Sequence, residues 1–164
     1  MPDQSNSTQA EKVWSLVKSI RIAMLCTHHA DGFGARPMYA LVPDQNDLIW
    51  FITDRDTMKV AEVLSSSEVL LTFSSGGGGD HVVIRGEMTI DYDRNMLESL
   101  WNPGATIFFP KGPKDDSAIL LRFAPVSAEY WSGSTGLLAF ALDFMSAKIT
   151  GTRPDTGQHG HVNL

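Results

Sequence analysis

The sequence predicts a mainly β protein, a small antiparallel β-barrel of six to seven short strands with peripheral helices. Short apolar runs alternate with turn residues along most of the chain, which is typical of antiparallel sheets. Asp31-Gly32 separates two such runs and favours a β-hairpin, because glycine supplies the positive φ of a tight turn. Closing the sheet into a barrel would remove its exposed edges. The 164 residues contain no repeat and no linker, so one domain is predicted over residues 1–164.

Apolar residues at helical spacing predict the helices. The first covers residues 8–19, where Thr8 and Glu11 form a capping box before a one-sided apolar face. Three more helices are predicted at residues 56–64, 93–101 and 136–149. The polar residues 1–7 and the Gly-, His- and Thr-rich residues 152–164 are expected to be irregular tails.

The strands are predicted from short runs rich in β-branched and aromatic residues. These runs lie at residues 21–27, 36–42, 48–53, 68–74, 81–92, 118–123 and 126–131. Short connections between the first three predict an antiparallel meander. Pro125 predicts a bend between the last two, since proline does not suit the interior of a central strand. The Pro- and Gly-rich residues 102–116 predict a loop.

Composition excludes several classes of function. With 13 Lys and Arg against 19 Asp and Glu, the formal net charge is −6, which argues against bulk binding to nucleic acid or anionic lipid. Cys26 is the only cysteine, so an internal disulfide and an all-cysteine metal site are impossible, and an inert core thiol is expected. There is no signal-peptide pattern and no apolar run of membrane-spanning length, so a cytoplasmic protein is expected.

Basic and hydroxyl side chains recur where the second strand, the third strand and the next helix are expected to meet. Arg36 opens the second strand, Thr53 closes the third, and Thr57 and Lys59 lie at the start of the helix. In a meander the start of one strand faces the end of the next, so these residues can share one rim. Cationic side chains beside a helix N-terminus predict a phosphate site. The alternative is a solvated surface on which Arg36 and Lys59 pair with Asp54, Asp56 or Glu62.

Other sets of residues favour simpler interpretations. The Gly76–Gly79 run lacks the Lys and Ser or Thr of a nucleotide-binding loop, so it is interpreted as a hairpin loop. The pairs His28-His29 and His159/His161 are interpreted as loop histidines, and no metal site is predicted. A late aromatic set, which packs in a core or stacks on a cofactor or partner, comprises Trp101, Phe108, Phe109, Tyr130 and Trp131.

The order of short motifs over residues 10–151 resembles one known family. These motifs are Arg36-Pro37-Met38, Trp50-Phe51-Ile52-Thr53-Asp54, Thr57-Met58-Lys59-Val60, Val83-Ile84-Arg85-Gly86-Glu87, Asp93-Arg94, Leu100-Trp101, Phe109-Pro110-Lys111-Gly112 and Ala128-Glu129-Tyr130-Trp131. In this order they resemble the general stress protein group of the pyridoxamine 5′-phosphate oxidase-like, FMN-binding split-barrel family. The resemblance implies a split β-barrel homodimer with FMN at the subunit interface, and FAD as a possible substitute.

The resemblance also implies roles for individual residues. Arg36 and Lys59 would hold the FMN phosphate, with Thr57 as a further donor. Pro37 and Met38 would lie beside the flavin. Further lining residues would be Ile52, Thr53 and, since a strand alternates its faces, one of Trp50 and Phe51. Contacts from the second subunit would come from Trp101 and Trp131.

The catalytic residues and the small-molecule substrate are not identified by the sequence. An FMN-dependent oxidoreductase and a non-catalytic protein that stores or senses flavin both remain open, and a haem or deazaflavin binder is a weaker alternative. Family members with pyridoxamine 5′-phosphate oxidase activity carry a C-terminal basic set. Here only Arg122, Lys148 and Arg153 follow residue 115, in no matching motif, which argues against that activity.

Overall fold

The computed structural model describes residues 4–44, 47–76, 79–133 and 158–164. Within these ranges seven strands form one antiparallel sheet. They are β1 (Ile22–His29), β2 (Gly32–Tyr39), β3 (Ile49–Asp54), β4 (Glu68–Ser74), β5 (His81–Asp91), β6 (Ala118–Ser132) and β7 (Gln158–Asn163). The helices are α1 (Gln4–Ile20), α2 (Met58–Ser65), α3 (Arg94–Leu100) and α4 (Pro103–Phe108), followed by a 3₁₀ turn at Gly112–Lys114.

The sheet curls into a split barrel. Its strand order is β2-β1-β4-β5-β6-β3, and β7 adds to β6. The two ends of this path meet at one residue pair, where Leu41 and Trp50 exchange backbone hydrogen bonds of 2.9 and 2.8 Å. The predicted fold class, a mainly antiparallel split barrel with peripheral helices, is therefore confirmed.

The predicted meander is only half right. β1 and β2 form the expected hairpin, but β3 pairs along its whole length with β6, from Ile49 opposite Phe123 to Asp54 opposite Ala118. The physical reason is that the barrel has to close. If β3 paired with β2 instead, the edge of β6 that β3 now covers would have no partner strand.

Alternating side chains fill the barrel from inside. On β1 the buried positions are Ala23, Leu25 and Thr27, and the residues between them face outward. The barrel core also contains the strand residues Phe51, Phe73 and Phe123. Two helices add valines to it: α1 contributes Val13 and Val17, and α2 contributes Val60 and Val63. A separate outer cluster packs α3 and the segment after α4 against β3 and β6, and comprises Trp50, Leu97, Phe109, Ala118 and Leu120.

Both chain ends are more ordered than their composition predicts. Helix α1 begins at Gln4, so Thr8 lies inside the helix and does not cap it. Residues 158–163, expected to be irregular, form β7 along β6. Long-range pairing overrides local composition here, because Val162 becomes fully buried in the barrel core. The helix predicted at residues 136–149 lies outside the described residues.

The two strands predicted around Pro125 are one continuous strand, β6, which carries a β-bulge. Arg85 faces Ser127 and Gly86 faces Pro125, so Val126 is the extra residue. A Cβ on Gly86 would lie 2.3 Å from the Ala124 carbonyl oxygen, so the close approach of the two strands requires glycine. Residues 102–116 contain α4, capped by the Asn102 side chain, and the 3₁₀ turn. No helix in the described ranges is long and apolar enough to cross a membrane.

Candidate functional site

Lys59 stands in the first turn of α2, where two threonine hydroxyls hold its ammonium group. Its Nζ donates to Thr53 Oγ1 at 3.0 Å and to Thr57 Oγ1 at 3.1 Å. An ammonium has three N–H donors, so one remains for a ligand. Lys59 forms no salt bridge with any residue that the structure describes.

The N-terminus of α2 adds two backbone donors to this place. Thr57 is the N-cap residue, but its hydroxyl does not cap the helix because it donates to the Asp54 carbonyl at 2.8 Å. The backbone N–H groups of Met58 and Lys59 therefore have no partner among the described residues. Unpaired N–H groups and the positive end of the helix dipole both favour an anion.

Arg36 lies in a closed hydrogen-bonded network with Thr27 and Glu62. Its Nη2 donates to Glu62 Oε2 at 2.7 Å, and its Nη1 donates to Thr27 Oγ1. Thr27 Oγ1 donates in turn to the same carboxylate oxygen at 2.5 Å. The Arg36 side chain is 23% exposed and that of Glu62 only 8%, so solvent reaches part of the Arg36 side chain and almost none of the Glu62 side chain.

Two features show how tightly this network is packed. The second carboxylate oxygen, Glu62 Oε1, is buried and has no hydrogen-bond partner. A Cβ on Gly34, two residues before Arg36 on the same face of β2, would lie 2.7 Å from Arg36 Nη2. Glycine at this position therefore leaves the guanidinium the space to reach Glu62.

The pKa shifts reflect these surroundings. Burial, and then the nearby positive charge of Arg36, lower the pKa of Lys59, while Asp54 and Glu62 oppose the shift. The pKa of Glu62 is also lowered, chiefly by the Thr27 hydrogen bond and, against the effect of burial, by Arg36. Two cations that repel each other within one site are stabilised when an anion binds between them.

The structure brings Thr53, Thr57 and Lys59 into direct contact and places Arg36 close enough to Lys59 to lower its pKa, by a different route from the predicted one. They meet because Thr27 on β1 and Glu62 on α2 connect the barrel interior to the helix, rather than through pairing of β2 with β3. The alternative, in which Arg36 and Lys59 pair with acidic side chains on a solvated surface, applies only to Arg36 among the described residues. Its ion pair with Glu62 is largely buried and not on a solvated surface.

The remaining predicted residues of β3 divide between its two faces. Phe51 is fully buried in the barrel core, on the same face as Thr53. Trp50 and Ile52 lie on the opposite face with the outer cluster, where Trp50 Nε1 is buried without a hydrogen-bond partner. Of the pair Trp50 and Phe51, alternation therefore leaves Trp50 on the outer side.

Pro37 and Met38 also point to opposite faces of their strand. Met38 is half-buried and packs against the barrel core, whereas Pro37 is exposed on the outer face of β2. Only Pro37 is thus available to a group that lies on the outside of the barrel.

The two late tryptophans occupy different regions. Trp101 packs edge-on against Phe109 beside the outer cluster, and its Nε1 donates to Thr106 at 3.1 Å. Trp131 lies near the end of β6 and stacks on His159 of β7, with ring centroids 5.0 Å apart. Within the described part of one chain, no hydrogen bond or ring contact connects either tryptophan to Arg36 or Lys59.

Sequence reasoning missed Thr27, and treated Glu62 only as a surface partner. Signals for both were present. Thr27 is a polar residue at the third inward position of a strand whose other inward residues are Ala23 and Leu25. Glu62 stands between the buried residues of α2, Val60 and Val63. A polar residue on an apolar face indicates a buried hydrogen-bonded partner.

Cys26 and the histidines differ from expectation in their surroundings. The Cys26 thiol is half-buried on the outer face of β1, not in the core. All four predicted loop histidines lie in strands, β1 or β7. Within the ranges that the structure describes, no three His, Cys, Asp or Glu side chains converge as a metal site.

Comparison with known proteins gives one family match and several structural ones. The family described as pyridoxamine 5′-phosphate oxidase-like matches residues 8–155. No curated protein was found to match the sequence.

Three solved structures have closely similar folds. General stress protein 26 of Jannaschia sp. CCS1 is 25% identical, with a TM-score of 0.79 over 97% of this chain and 99% of its own. The general stress FMN/FAD binding protein of Xanthomonas citri is 33% identical, with a TM-score of 0.70 over 80% and 93% of the two chains. A general stress family protein of Xanthomonas campestris pv. campestris is 32% identical, with a TM-score of 0.70 over 84% and 94%.

Proposed function

Because the chain belongs to the pyridoxamine 5′-phosphate oxidase-like family, we propose that it is a flavin-binding protein of the general stress type, with FMN as its ligand. The observation that carries this proposal is the convergence of Lys59, Arg36 and the N-terminus of α2 at one end of the barrel. The similar Xanthomonas citri protein, which is described as binding FMN or FAD, supports the choice of a flavin.

The donors at this place fit a phosphate group. Lys59 offers one ammonium N–H, and α2 offers the backbone N–H groups of Met58 and Lys59. Arg36 has five N–H donors, of which two are used by Thr27 and Glu62. Together they surround an anion with charge-assisted hydrogen bonds, the strongest kind available to a phosphate. A terminal monoester such as FMN suits this site, and the adenylyl group of FAD would have to extend beyond it.

The flavin ring is proposed to extend from the phosphate along β2 and β3. Pro37, on the outer face of β2, would lie beside it, and Ile52 and Trp50, on the outer face of β3, would shape its surroundings. When bound, the flavin would supply the electron-transfer chemistry, while this chain binds and orients it. Trp101 and Trp131 are proposed to contact the flavin held mainly by the other subunit of a dimer.

A homodimer is proposed because β1 and β2 expose a continuous apolar surface on the outside of the barrel. This outer face comprises Ile22, Met24, Phe33 and Tyr39, which are 49%, 38%, 79% and 44% exposed. A cleft of about 480 Å³ opens on the same face, lined mainly by apolar atoms. Exposed apolar surface of this kind marks an association site, and a second copy of this chain would cover it.

Two kinds of activity are open to a flavin held in this way. One is an FMN-dependent oxidoreductase acting on an unidentified small molecule, and the other is a protein that only stores or senses flavin. Anaerobic mixing of the FMN-loaded protein with NADH or NADPH separates them. Bleaching of the flavin absorbance supports the oxidoreductase, and a spectrum that stays oxidised with both donors supports the binding protein.

The visible spectrum of the purified protein tests the binding proposal itself. We expect flavin absorbance after purification or after incubation with FMN and removal of the excess. Arg36→Ala/Lys59→Ala should lose this absorbance while keeping its circular dichroism. A wild-type protein that retains no added FMN would contradict the proposal.

A further inference from the structure

Glu62 is the only charged side chain that is almost fully buried in the described part of the chain. Its exposed fraction is 8%, and its Oε2 accepts hydrogen bonds from both Thr27 and Arg36. Burying a carboxylate is costly unless a cation compensates its charge. Glu62 is therefore tied to Arg36, the cation that lies within hydrogen-bonding distance.

This pairing changes the charge that the site offers to a ligand. Arg36 contributes +1, Glu62 −1 and Lys59 +1, so these three side chains sum to +1 rather than the +2 of the two cations alone, and the nearby Asp54 carboxylate reduces the positive charge at Lys59 further. An anion that approaches the exposed part of Arg36 meets a guanidinium whose positive charge is already offset by the Glu62 carboxylate. The second carboxylate oxygen, Glu62 Oε1, accepts no hydrogen bond, so no donor offsets its share of the negative charge that repels the anion.

We propose that Glu62 sets the anion specificity of this site, as an internal counter-ion that offsets Arg36 and limits the affinity for phosphate monoesters. Lys59, which forms no salt bridge with any described residue, then supplies most of the attraction, and Arg36 supplies direction through its remaining N–H groups. The proposal rests on the proposed function in that the flavin phosphate is taken as the ligand.

The groups around Glu62 keep it charged over the neutral range. Arg36 faces it from β2, His29 faces it from β1, and Lys59 lies one turn away on α2. Strand β5 also packs on α2 and contributes apolar residues of the barrel core, such as Met88. Hydrogen bonds from Thr27 and Arg36, and the positive charge of Arg36, lower the pKa of Glu62. The counter-ion effect is therefore constant at neutral pH, and it disappears only when acid protonates the carboxylate.

The test compares FMN with riboflavin, which lacks the phosphate, by quenching of flavin fluorescence. Glu62→Gln keeps the size and the hydrogen-bond acceptor but removes the charge. We expect it to bind FMN about tenfold more tightly, as removal of a charge a few ångströms from the ligand implies, with riboflavin affinity unchanged. Glu11→Gln, which makes the same charge change on the exposed face of α1, should leave both affinities as in the wild type.

A rescue experiment separates this role from a structural one. It also tests the proposal in the case that Glu62→Gln alone does not fold. Arg36→Gln leaves Glu62 uncompensated beside the phosphate and should weaken FMN binding severely. Arg36→Gln/Glu62→Gln removes both charges, so it should bind FMN more tightly than Arg36→Gln does. A Glu62→Gln protein whose ratio of FMN to riboflavin affinity is unchanged or lower, or a double variant no better than Arg36→Gln, overturns the proposal.

Failure of the flavin assignment has a different signature. If the wild type binds neither flavin, the same variants are compared by the rise in thermal unfolding temperature that inorganic phosphate causes. A larger rise for Glu62→Gln than for Glu11→Gln supports the counter-ion role without any flavin, and equal rises overturn it.

Discussion

Arg36 and Lys59 carry the same formal charge but occupy different surroundings. Arg36 is held by a buried carboxylate, whereas Lys59 is held only by neutral hydroxyl groups. Sequence reasoning could place both beside a helix N-terminus, because residue type and order along the chain are visible in the sequence. It could not predict that Glu62 pairs with Arg36 rather than with Lys59, because this ion pair depends on the position of Thr27 of β1 next to Glu62 of α2.

Lys59 gives the site an alkaline limit. Its pKa in the folded protein is lowered from 10.5, and only the protonated ammonium attracts phosphate. FMN affinity should therefore fall as the pH rises through this lowered pKa, which is reached below 10.5. Lys59→Arg should abolish the fall, because a guanidinium stays charged above pH 12. Fluorescence titrations of FMN between pH 7 and 10 measure both proteins, and identical pH profiles would refute the role of Lys59.

Gly34 should be required for the position of the guanidinium. In Gly34→Ala the new Cβ would lie 2.7 Å from Arg36 Nη2, so the guanidinium must shift away from Glu62. Because Arg36 is flexible, we expect a modest loss of stability, about 1 kcal/mol, and about tenfold weaker FMN binding. Chemical denaturation and FMN titration measure the two effects. Unchanged FMN affinity would show that the phosphate does not depend on this position of Arg36.

Elements defined by local patterns were predicted well, and those defined by distant partners were not. The strand at residues 68–74 was predicted with the bounds of β4, and the predicted hairpin joins β1 to β2 through a turn at residues 30–31. The pairing of β3 with β6 and the formation of β7 involve residues far apart in sequence, so no local pattern encodes them. The proximity of Thr53, Thr57 and Lys59 was predictable because all three lie within Thr53–Lys59.

The bulge between β5 and β6 should be a stability determinant. Gly86→Ala would place a Cβ 2.3 Å from the Ala124 carbonyl oxygen and 2.6 Å from the Phe123 ring, so the backbone itself must move. We expect a loss of about 2–3 kcal/mol in the free energy of unfolding by urea. Gly76→Ala is the matched control, since a Cβ there meets no atom within 4 Å. Equal stabilities of the two variants would disprove the steric account.

At the scale of the whole molecule, the part of the chain that the structure describes leaves one face of β1 and β2 uncovered. The helices α1 and α2 contribute to the barrel core, and α2 binds the inward-facing Thr27, so neither accounts for the outer face. If a second copy covers this face, the flavin site of each chain gains a wall that no single chain provides.

The dimer has a direct test in solution mass. Light scattering of the wild type should give about twice the chain mass of 18.0 kDa. Phe33→Asp, which places a carboxylate at the most exposed apolar residue of the outer face, should shift the mass to that of one chain. Tyr92→Asp, at an exposed aromatic residue outside that face, should remain dimeric. A monomeric wild type would contradict both the dimer and a flavin site shared between subunits.

The central claim is that Lys59, Arg36 and the N-terminus of α2 bind the phosphate of a flavin. Calorimetric titration of the apoprotein with FMN and with riboflavin, for the wild type and for Lys59→Met, tests it most directly. We predict that the wild type prefers FMN, and that Lys59→Met loses about 1.5–3 kcal/mol of FMN binding but none of riboflavin binding. Equal affinity of the wild type for the two flavins, or an equal loss of both in Lys59→Met, would contradict the account.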